Sequence, residues 1–122
     1  MIDMVQRPAP FSKPRFEVTA DLIGKYINQV LWSDVNPVGK IVGIKGKTKV
    51  LIQPVVAGEN KRVKEMTFVP GGFVGTFIDQ HIQSYDFFEK GEVYEVSLST
   101  SSMKRNHWKI ADAPHKFYDY NF

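Results

Sequence analysis

The segment MKRNHWKI, residues 103–110, places cationic side chains around a single tryptophan. Bases stack on exposed aromatic rings while cations hold the phosphates, so this composition is typical of a groove for single-stranded nucleic acid. The side chains that would act there are Lys104, Arg105, Trp108 and Lys109. In strand geometry, however, Trp108 points to the side opposite Lys109, and burial of Trp108 in a core explains the same pattern more simply.

A second group of cations lies in KIVGIKGKTKVLIQP, residues 40–54, where two apolar runs flank a tip that carries Lys45, Lys47 and Lys49. Lysines at such a tip can contact backbone phosphates, and each contact adds to affinity independently of base sequence. The alternative is that they keep the tip of a hairpin soluble and prevent it from pairing with another sheet edge.

Residue types that carry catalysis or bind metals form no motif. The histidines, His81, His107 and His115, have neither the i, i+4 spacing of a helical metal site nor an HExxH arrangement. The absence of cysteine excludes thiolate zinc sites and disulfides. VPGGFVGTF, residues 69–77, lacks the spacing of a phosphate-binding loop. The sequence therefore predicts a binding protein that is not an enzyme and holds no metal or cofactor.

The C-terminal tail, HKFYDYNF, is dense in large aromatic side chains: Phe117, Tyr118, Tyr120 and Phe122. Chain termini fray unless they dock, and aromatics dominate the hot spots of protein interfaces. Two hypotheses follow. The tail either packs across its own domain as a strand or strap, which we favour, or it anchors a partner protein.

The elements that position these residues begin with ADLIGKYINQVLW, residues 20–32, where apolar residues recur at helical spacing. Thr19 is a suitable N-cap, and Pro37 blocks continuation of a helix. We therefore predict an N-terminal helix here. Before it, residues 1–16 are rich in proline and predict an extended lead-in, and residues 17–122 predict a single domain.

The register of the lysine-tipped hairpin follows from side-chain parity. A loop with an odd number of residues pairs Ile44 with Val50. It also pairs Val42 with Ile52, which places four β-branched side chains on one face. A two-residue turn would instead pair Ile44 with Lys49. We predict the odd loop, with the three lysines exposed at its tip.

The rest of the chain is mostly strand-like. Residues 61–69 and 92–99 are predicted strands, and the polar loop 99–106 leads to a short strand at 107–111. Residues 73–90 fit a helix or strands equally well. One helix and a run of hairpin-connected strands predict an α+β domain, with a mainly antiparallel sheet curled into a small barrel.

Residues 38–55 are similar to the strand–turn–strand units of Tudor and KOW barrels. That resemblance agrees with the predicted barrel and implies no site residue. No signal peptide or membrane span is evident, and with no cysteine the chain is predicted to be soluble and cytoplasmic.

The net charge of +3 is unevenly distributed. Residues 41–64 hold six basic side chains and one acidic side chain, whereas residues 65–100 hold six acidic and one basic. The two blocks either form separate basic and acidic surfaces or mix when the chain folds. Our first functional hypothesis is binding of RNA or single-stranded DNA through the tip and residues 104–109. The alternative is a protein–protein interaction module, such as an inhibitor or adaptor of a host or regulatory partner, that uses its acidic face or its aromatic tail.

Overall fold

The computed structural model describes residues 16–70 and 75–121. Within these ranges the elements are β1 (Tyr26–Leu31), β2 (Asp34–Lys45), β3 (Lys49–Ala57), β4 (Phe68–Val69), β5 (Thr76–Phe77), β6 (Phe87–Glu89), β7 (Tyr94–Ser97), α1 (Thr100–Asn106) and β8 (Trp108–Ala111). Single 3₁₀ turns lie at Ala20–Leu22, Val63–Glu65 and Gln80–Ile82. The predicted lead-in up to residue 15, the glycine turn at 71–72 and the candidate Phe122 lie outside the described residues.

The main sheet is antiparallel and six-stranded, in the order β6-β3-β2-β1-β8, with β7 also paired to β3. β3 thus has two partners along one edge, because residues 49–52 pair with β7 and residues 55–57 pair with β6. The α+β class and the antiparallel sheet are confirmed. The barrel prediction is wrong: the sheet stays open, because β7 and β8 lie at opposite sides of it and are joined through α1 rather than by pairing.

The N-terminal helix predicted over residues 20–32 is also wrong, because the segment forms only a 3₁₀ turn at Ala20–Leu22 and then β1 at Tyr26–Leu31. Gly24 has φ of +95°, which no right-handed helix accommodates. β1 pairs along both edges, with Ile27 opposite Gly39 of β2 and opposite Ile110 of β8. These two ladders outweigh the helical spacing of the apolar residues, which is a weak preference by comparison.

The β2–β3 hairpin has the predicted odd loop. Ile44 lies opposite Val50, and a three-residue turn follows, since Lys45 lies opposite Lys49. Val50 is fully buried and Ile44 is half-buried, whereas the lysines of the tip are exposed. Side-chain parity therefore predicts the pairing correctly at the end of the hairpin that carries the tip lysines.

Further from the tip, the predicted pairing of Val42 with Ile52 is wrong. The register shifts between Ile41 and Gly43, so that Ile41 lies opposite Ile52. Such a β-bulge adds one residue to one strand and reverses the alternation of its side chains. As a result Ile41 is fully buried and Val42 is 42% exposed.

The core lies on one face of this sheet. Its buried members lie in the 3₁₀ turn before β1, in β1, β2 and β3, and between β7 and α1. In that order they are Leu22, Ile27, Ile41, Val50, Ile52 and Leu98. Half-buried side chains of α1 and β8, among them Met103, Trp108 and Ile110, pack against them. The segment that carries the basic and aromatic candidates is thus attached to the core by its apolar residues.

The helix of the structure replaces the polar loop predicted at residues 99–106. Its N-terminus has a capping box: the Ser102 N–H donates to Ser99 Oγ at 3.0 Å, and the Ser99 N–H donates to Ser102 Oγ at 2.9 Å. This reciprocal arrangement satisfies two N–H groups that a helix start leaves unpaired. The helix ends at His107, whose φ of 58° is left-handed.

Of the other predicted strands, residues 92–99 and 107–111 are confirmed as β7 and β8. Residues 61–69 form a strand only at Phe68–Val69, preceded by a 3₁₀ turn. The part of residues 73–90 that the structure describes contains β5, a 3₁₀ turn and β6, so the strand alternative is the closer one.

Gly39 is a point of close approach between β2 and β3. A Cβ atom there would lie 2.7 Å from the carbonyl oxygen of Gln53 and would overlap the side chain of Ile52. Backbone cannot move aside as a side chain can. We therefore expect Gly39→Ala to lower the free energy of unfolding by about 1–3 kcal/mol, measured by urea denaturation.

Gly43→Ala is the matched control in the same strand. The Cβ atom added there would meet Leu51 Cδ1 at 3.1 Å, and this atom is the far end of a flexible side chain. The loss of stability should be clearly smaller than for Gly39→Ala. Equal losses in the two variants would contradict the assigned contact between the two strands.

Candidate nucleic-acid interface

Two of the three lysines of the hairpin tip share ion pairs with one carboxylate. Glu95 of β7 lies opposite Leu51 of β3, on the side of the sheet that also carries the tip lysines. Its oxygens lie 3.0 Å from Lys45 Nζ and 3.4 Å from Lys49 Nζ. The hydrogen bond from Lys45 is the main cause that lowers the pKa of Glu95. Of the three tip lysines, Lys47 alone has no ion pair with a described residue.

The basic and acidic blocks of the sequence mix on folding. Besides the pairs with Glu95, Lys61 Nζ lies 2.9 Å from Asp86 Oδ1. Arg62 Nη2 lies 2.9 Å from Glu65 Oε1. These ion pairs join residues 41–64 to residues 65–100. The fold therefore mixes the two charged blocks and does not separate them into a basic and an acidic surface. A basic surface must come from another part of the chain.

A groove of about 580 Å³ lies beside α1 and β8. It is lined by apolar side chains and by cations: Phe16, Val30, Thr100, Met103, Lys104, His107, Trp108, Lys109 and Ile110. Trp108 and Lys109 are neighbours in a strand and point to opposite faces, so a groove that both of them line follows the edge of β8. β8 is the outermost strand on this side of the sheet.

Among the described residues that line the groove, none is acidic. Lys104, Arg105 and Lys109 are exposed, and within the described ranges no carboxylate forms an ion pair with any of them. The free cations of the candidate set are therefore those of residues 104–109, whereas two of the tip lysines are engaged. This difference could not be inferred from the sequence, where both segments look equally basic.

Trp108 combines the two alternatives posed by the sequence. It lies opposite Gln29 of β1, is half-buried, and packs against the core. The same side chain lines the groove. A half-buried indole is held rigidly by its packing and still presents apolar surface to a ligand, which is what a stacking platform requires.

The tip and the cations of residues 104–109 lie near different ends of α1. The Leu98 N–H donates to Thr48 O at 2.8 Å, so the tip lies beside the start of α1. Lys104 and Arg105 lie near its other end. At about 1.5 Å per residue, Lys104 and Arg105 lie about 6–8 Å along the helix axis from its first residue, Thr100.

The aromatic tail docks on its own chain. Phe117 forms a β-bridge with Val35, with N···O distances of 2.9 Å in both directions. Gln83 Nε2 donates to Tyr118 O at 2.6 Å, and Gln80 Oε1 accepts from Tyr120 N at 2.8 Å. These amide side chains satisfy the backbone of the tail, a role that the sequence pattern of residues 73–90 gave no reason to expect.

Ring contacts complete the docking. Phe77 lies between Phe68 and Tyr120, with centroid distances of 5.1 and 5.3 Å, and Tyr118 lies 4.8 Å from Tyr120. Burial, together with the hydroxyl of Tyr120, raises the pKa of Tyr85 to about 12. The Tyr85 phenol is therefore neutral at physiological pH.

Asn28 lies in the segment predicted to be a helix and is a buried residue that the sequence gave no reason to single out. It is 2% exposed. Its Nδ2 donates to Ala113 O at 3.0 Å, and its Oδ1 accepts from the His115 N–H at 2.9 Å. Asn28 thereby holds the segment that leads from β8 into the tail.

Other kinds of site are not evident in the described part of the chain. There is no group of three His, Asp or Glu side chains that could hold a metal ion. No helix within residues 16–70 and 75–121 has the length and apolarity needed to cross a membrane. Comparison with protein-family models, curated proteins and solved structures finds no match to this chain. The function is therefore inferred from the groove itself.

Proposed function

We propose that this protein binds single-stranded nucleic acid, RNA or DNA, in the groove along β8. The observation that carries the proposal is the combination of an apolar wall containing Trp108 with cations that no described carboxylate neutralises. Lys104, Arg105 and Lys109 would contact phosphates, and Trp108 would stack on a base. The protein would act in the cytoplasm, which suits a chain without cysteine.

The tip lysines have a secondary part in this proposal. Lys45 and Lys49 lie beside the negative charge of Glu95, which repels a phosphate, so each would gain less from a phosphate contact than a lysine without a carboxylate neighbour. Lys47 is available without that exchange. The tip would therefore extend the basic surface beyond the start of α1 without defining the site.

The test is a titration of the purified protein into fluorescently labelled oligo(dT) and oligo(rU) at several salt concentrations. We expect Lys104→Ala combined with Lys109→Ala to weaken binding and to flatten the log–log salt dependence by about 1.4, since each phosphate contact to a single strand contributes about 0.7. The matched control, Lys45→Ala combined with Lys49→Ala, removes the same charge from the tip and should flatten it less.

Two results would contradict the proposal. The first is no binding by the unmodified protein to either oligonucleotide at low salt. The second is an equal change of slope in the groove variant and the tip variant, which would mean that only net charge matters. Each variant is first checked for an unchanged thermal unfolding transition, so that loss of binding is not loss of fold.

A second candidate function, a protein–protein interaction module, is favoured by one observation. Exposed apolar side chains gather near β4, β5 and the tail: Phe68 is 50% exposed, Val69 43%, Ile78 64% and Tyr118 48%. Such a patch is typical of a surface that another protein covers. In this alternative Tyr118 is the contact residue, while Phe117 and Tyr120 hold the tail in place. It becomes the leading function if no oligonucleotide binds.

A further inference from the structure

Trp32 occupies an unusual position for a tryptophan. Leu31 lies opposite Asp34, so Trp32 and Ser33 form the two-residue turn between β1 and β2. Its φ is 58°, a conformation that L side chains rarely adopt. Turns of this length favour glycine, asparagine or aspartate where φ is positive.

Core packing does not account for the tryptophan. The side chain is 87% exposed, the largest exposure among the large hydrophobic residues that the structure describes as exposed. A buried indole gains free energy from leaving water, and this one gains little. The chain therefore carries backbone strain at this turn together with a large apolar surface in solvent. An exposed aromatic ring carried on a turn of fixed backbone conformation is what a stacking platform requires.

The turn lies past the C-terminal end of α1. Gln29 Nε2 donates to Asn106 O at 3.1 Å, and the Val30 N–H donates to His107 O at 2.8 Å. Val30 also lines the groove. Trp32 follows two residues later, about 7 Å further along the strand direction. A strand of nucleic acid that leaves the groove on the Val30 side thus passes this turn.

The carboxylates near the turn are engaged with the tail. Asp34 Oδ1 accepts from the Asp119 N–H at 2.7 Å. The Asp119 carboxylate accepts from Asn121 N at 2.9 Å and from Gln80 Nε2 at 3.2 Å, and a hydrogen bond from Ser33 is the main cause that lowers its pKa. Both aspartates are half-buried, so the most exposed group at the turn is the indole.

We propose that Trp32 is a second stacking platform, which binds a base of the strand where it leaves the groove beside Val30. This inference rests on the proposed function and deepens it: the ligand is a flexible single strand long enough to occupy the groove and reach past the end of α1. A duplex is excluded from this mode, because its bases are already stacked on one another.

The test is Trp32→Asn, with Trp32→Tyr as the matched control that keeps an aromatic ring at the same turn. Asparagine tolerates positive φ. We expect Trp32→Asn to weaken binding of oligo(dT) roughly tenfold, without changing the salt slope. Trp32→Tyr should retain most of the affinity. A loss of binding in the asparagine variant alone, while both variants keep a native unfolding transition, identifies the aromatic ring as a contact of the ligand.

The outcomes separate this inference from the proposed function. If the groove variant weakens binding and Trp32→Asn does not, the second platform is wrong while the groove stands. If Trp32→Asn lowers the melting temperature and leaves affinity unchanged, the residue is structural and the inference is overturned. If the unmodified protein binds no oligonucleotide, both proposals fail.

A direct reading comes from fluorescence. The chain has two tryptophans, so Trp108→Phe leaves Trp32 as the only indole. Quenching of its emission by unlabelled oligo(dT) at saturating concentration is the expected result, because a stacked base contacts the ring. Unchanged emission in a sample that still binds, as shown by the labelled oligonucleotide, would overturn the proposal.

Discussion

A chain that ends at Lys116 is expected to melt about 5–10 °C below the intact protein. Residues 117–121 supply a β-bridge, backbone hydrogen bonds to two glutamines and a cluster of rings. Each hydrogen bond contributes about 0.5–1.5 kcal/mol, and in a domain of this size a few kcal/mol corresponds to such a shift. The measurement is thermal unfolding followed by circular dichroism.

Tyr118→Ala is the control for this deletion. Tyr118 is 48% exposed, so its side chain contributes less to stability than the bridge at Phe117 does. The melting temperature should fall by less than half as much as in the truncated chain. A truncated chain that melts like the intact protein would show that the tail does not hold the fold together and would favour the partner-anchor hypothesis.

Asn28→Ala is expected to lower the free energy of unfolding by about 1–3 kcal/mol, because it removes both hydrogen bonds of a buried amide, the one to Ala113 O and the one from the His115 N–H. Urea denaturation measures the loss. Gln29→Ala is the matched control on the same strand. Gln29 is less buried and makes one hydrogen bond, to Asn106 O, so the loss should be about 1 kcal/mol. Equal losses would contradict the assigned role of Asn28.

Asn28→Asp adds a test with a defined pH dependence. A carboxylate here keeps the acceptor for the His115 N–H but faces the carbonyl oxygen of Ala113 in a site that is 2% exposed. Burial raises the pKa of such a carboxyl above its unfolded value of about 4. The folded state then binds more protons than the unfolded state, so the variant loses stability relative to the parent as the pH rises above that value. Acidification should narrow the difference.

The alternation of side chains predicts the strands of this fold better than it predicts how they assemble. Local parity identified the hairpin around Lys47, since Ile44 and Val50 are close in sequence and their pairing is decided by the loop. It failed at residues 20–32, because partners of β1 lie as far away as Ile110. Contacts between residues so far apart in sequence leave no local pattern. The spacing of the apolar residues in this segment fits a helix, and it also fits a strand that pairs along both of its edges.

The residues of the candidate site could be named from the sequence, but which of their charges are paired could not. Both basic segments were named from sequence, yet only the structure shows that Glu95, about fifty residues from Lys45, pairs with two lysines of the tip. α1 was missed because its serines have low helix propensity, although Ser99 and Ser102 at capping-box spacing were a usable signal. Trp32 was overlooked because the turn that exposes it exists only when β1 is a strand.

The pairing of β1 with β8 has a consequence for how the protein is made. On the ribosome the first strand emerges long before its partner at residues 108–111, and the bridge from Phe117 to Val35 closes later still. During synthesis at about 5–20 residues per second, one edge of β1 therefore stays open while the residues between β1 and β8 are added. The β2–β3 hairpin can form as soon as it leaves the exit tunnel, but the nascent chain cannot complete its sheet until residues 108–111 have also emerged.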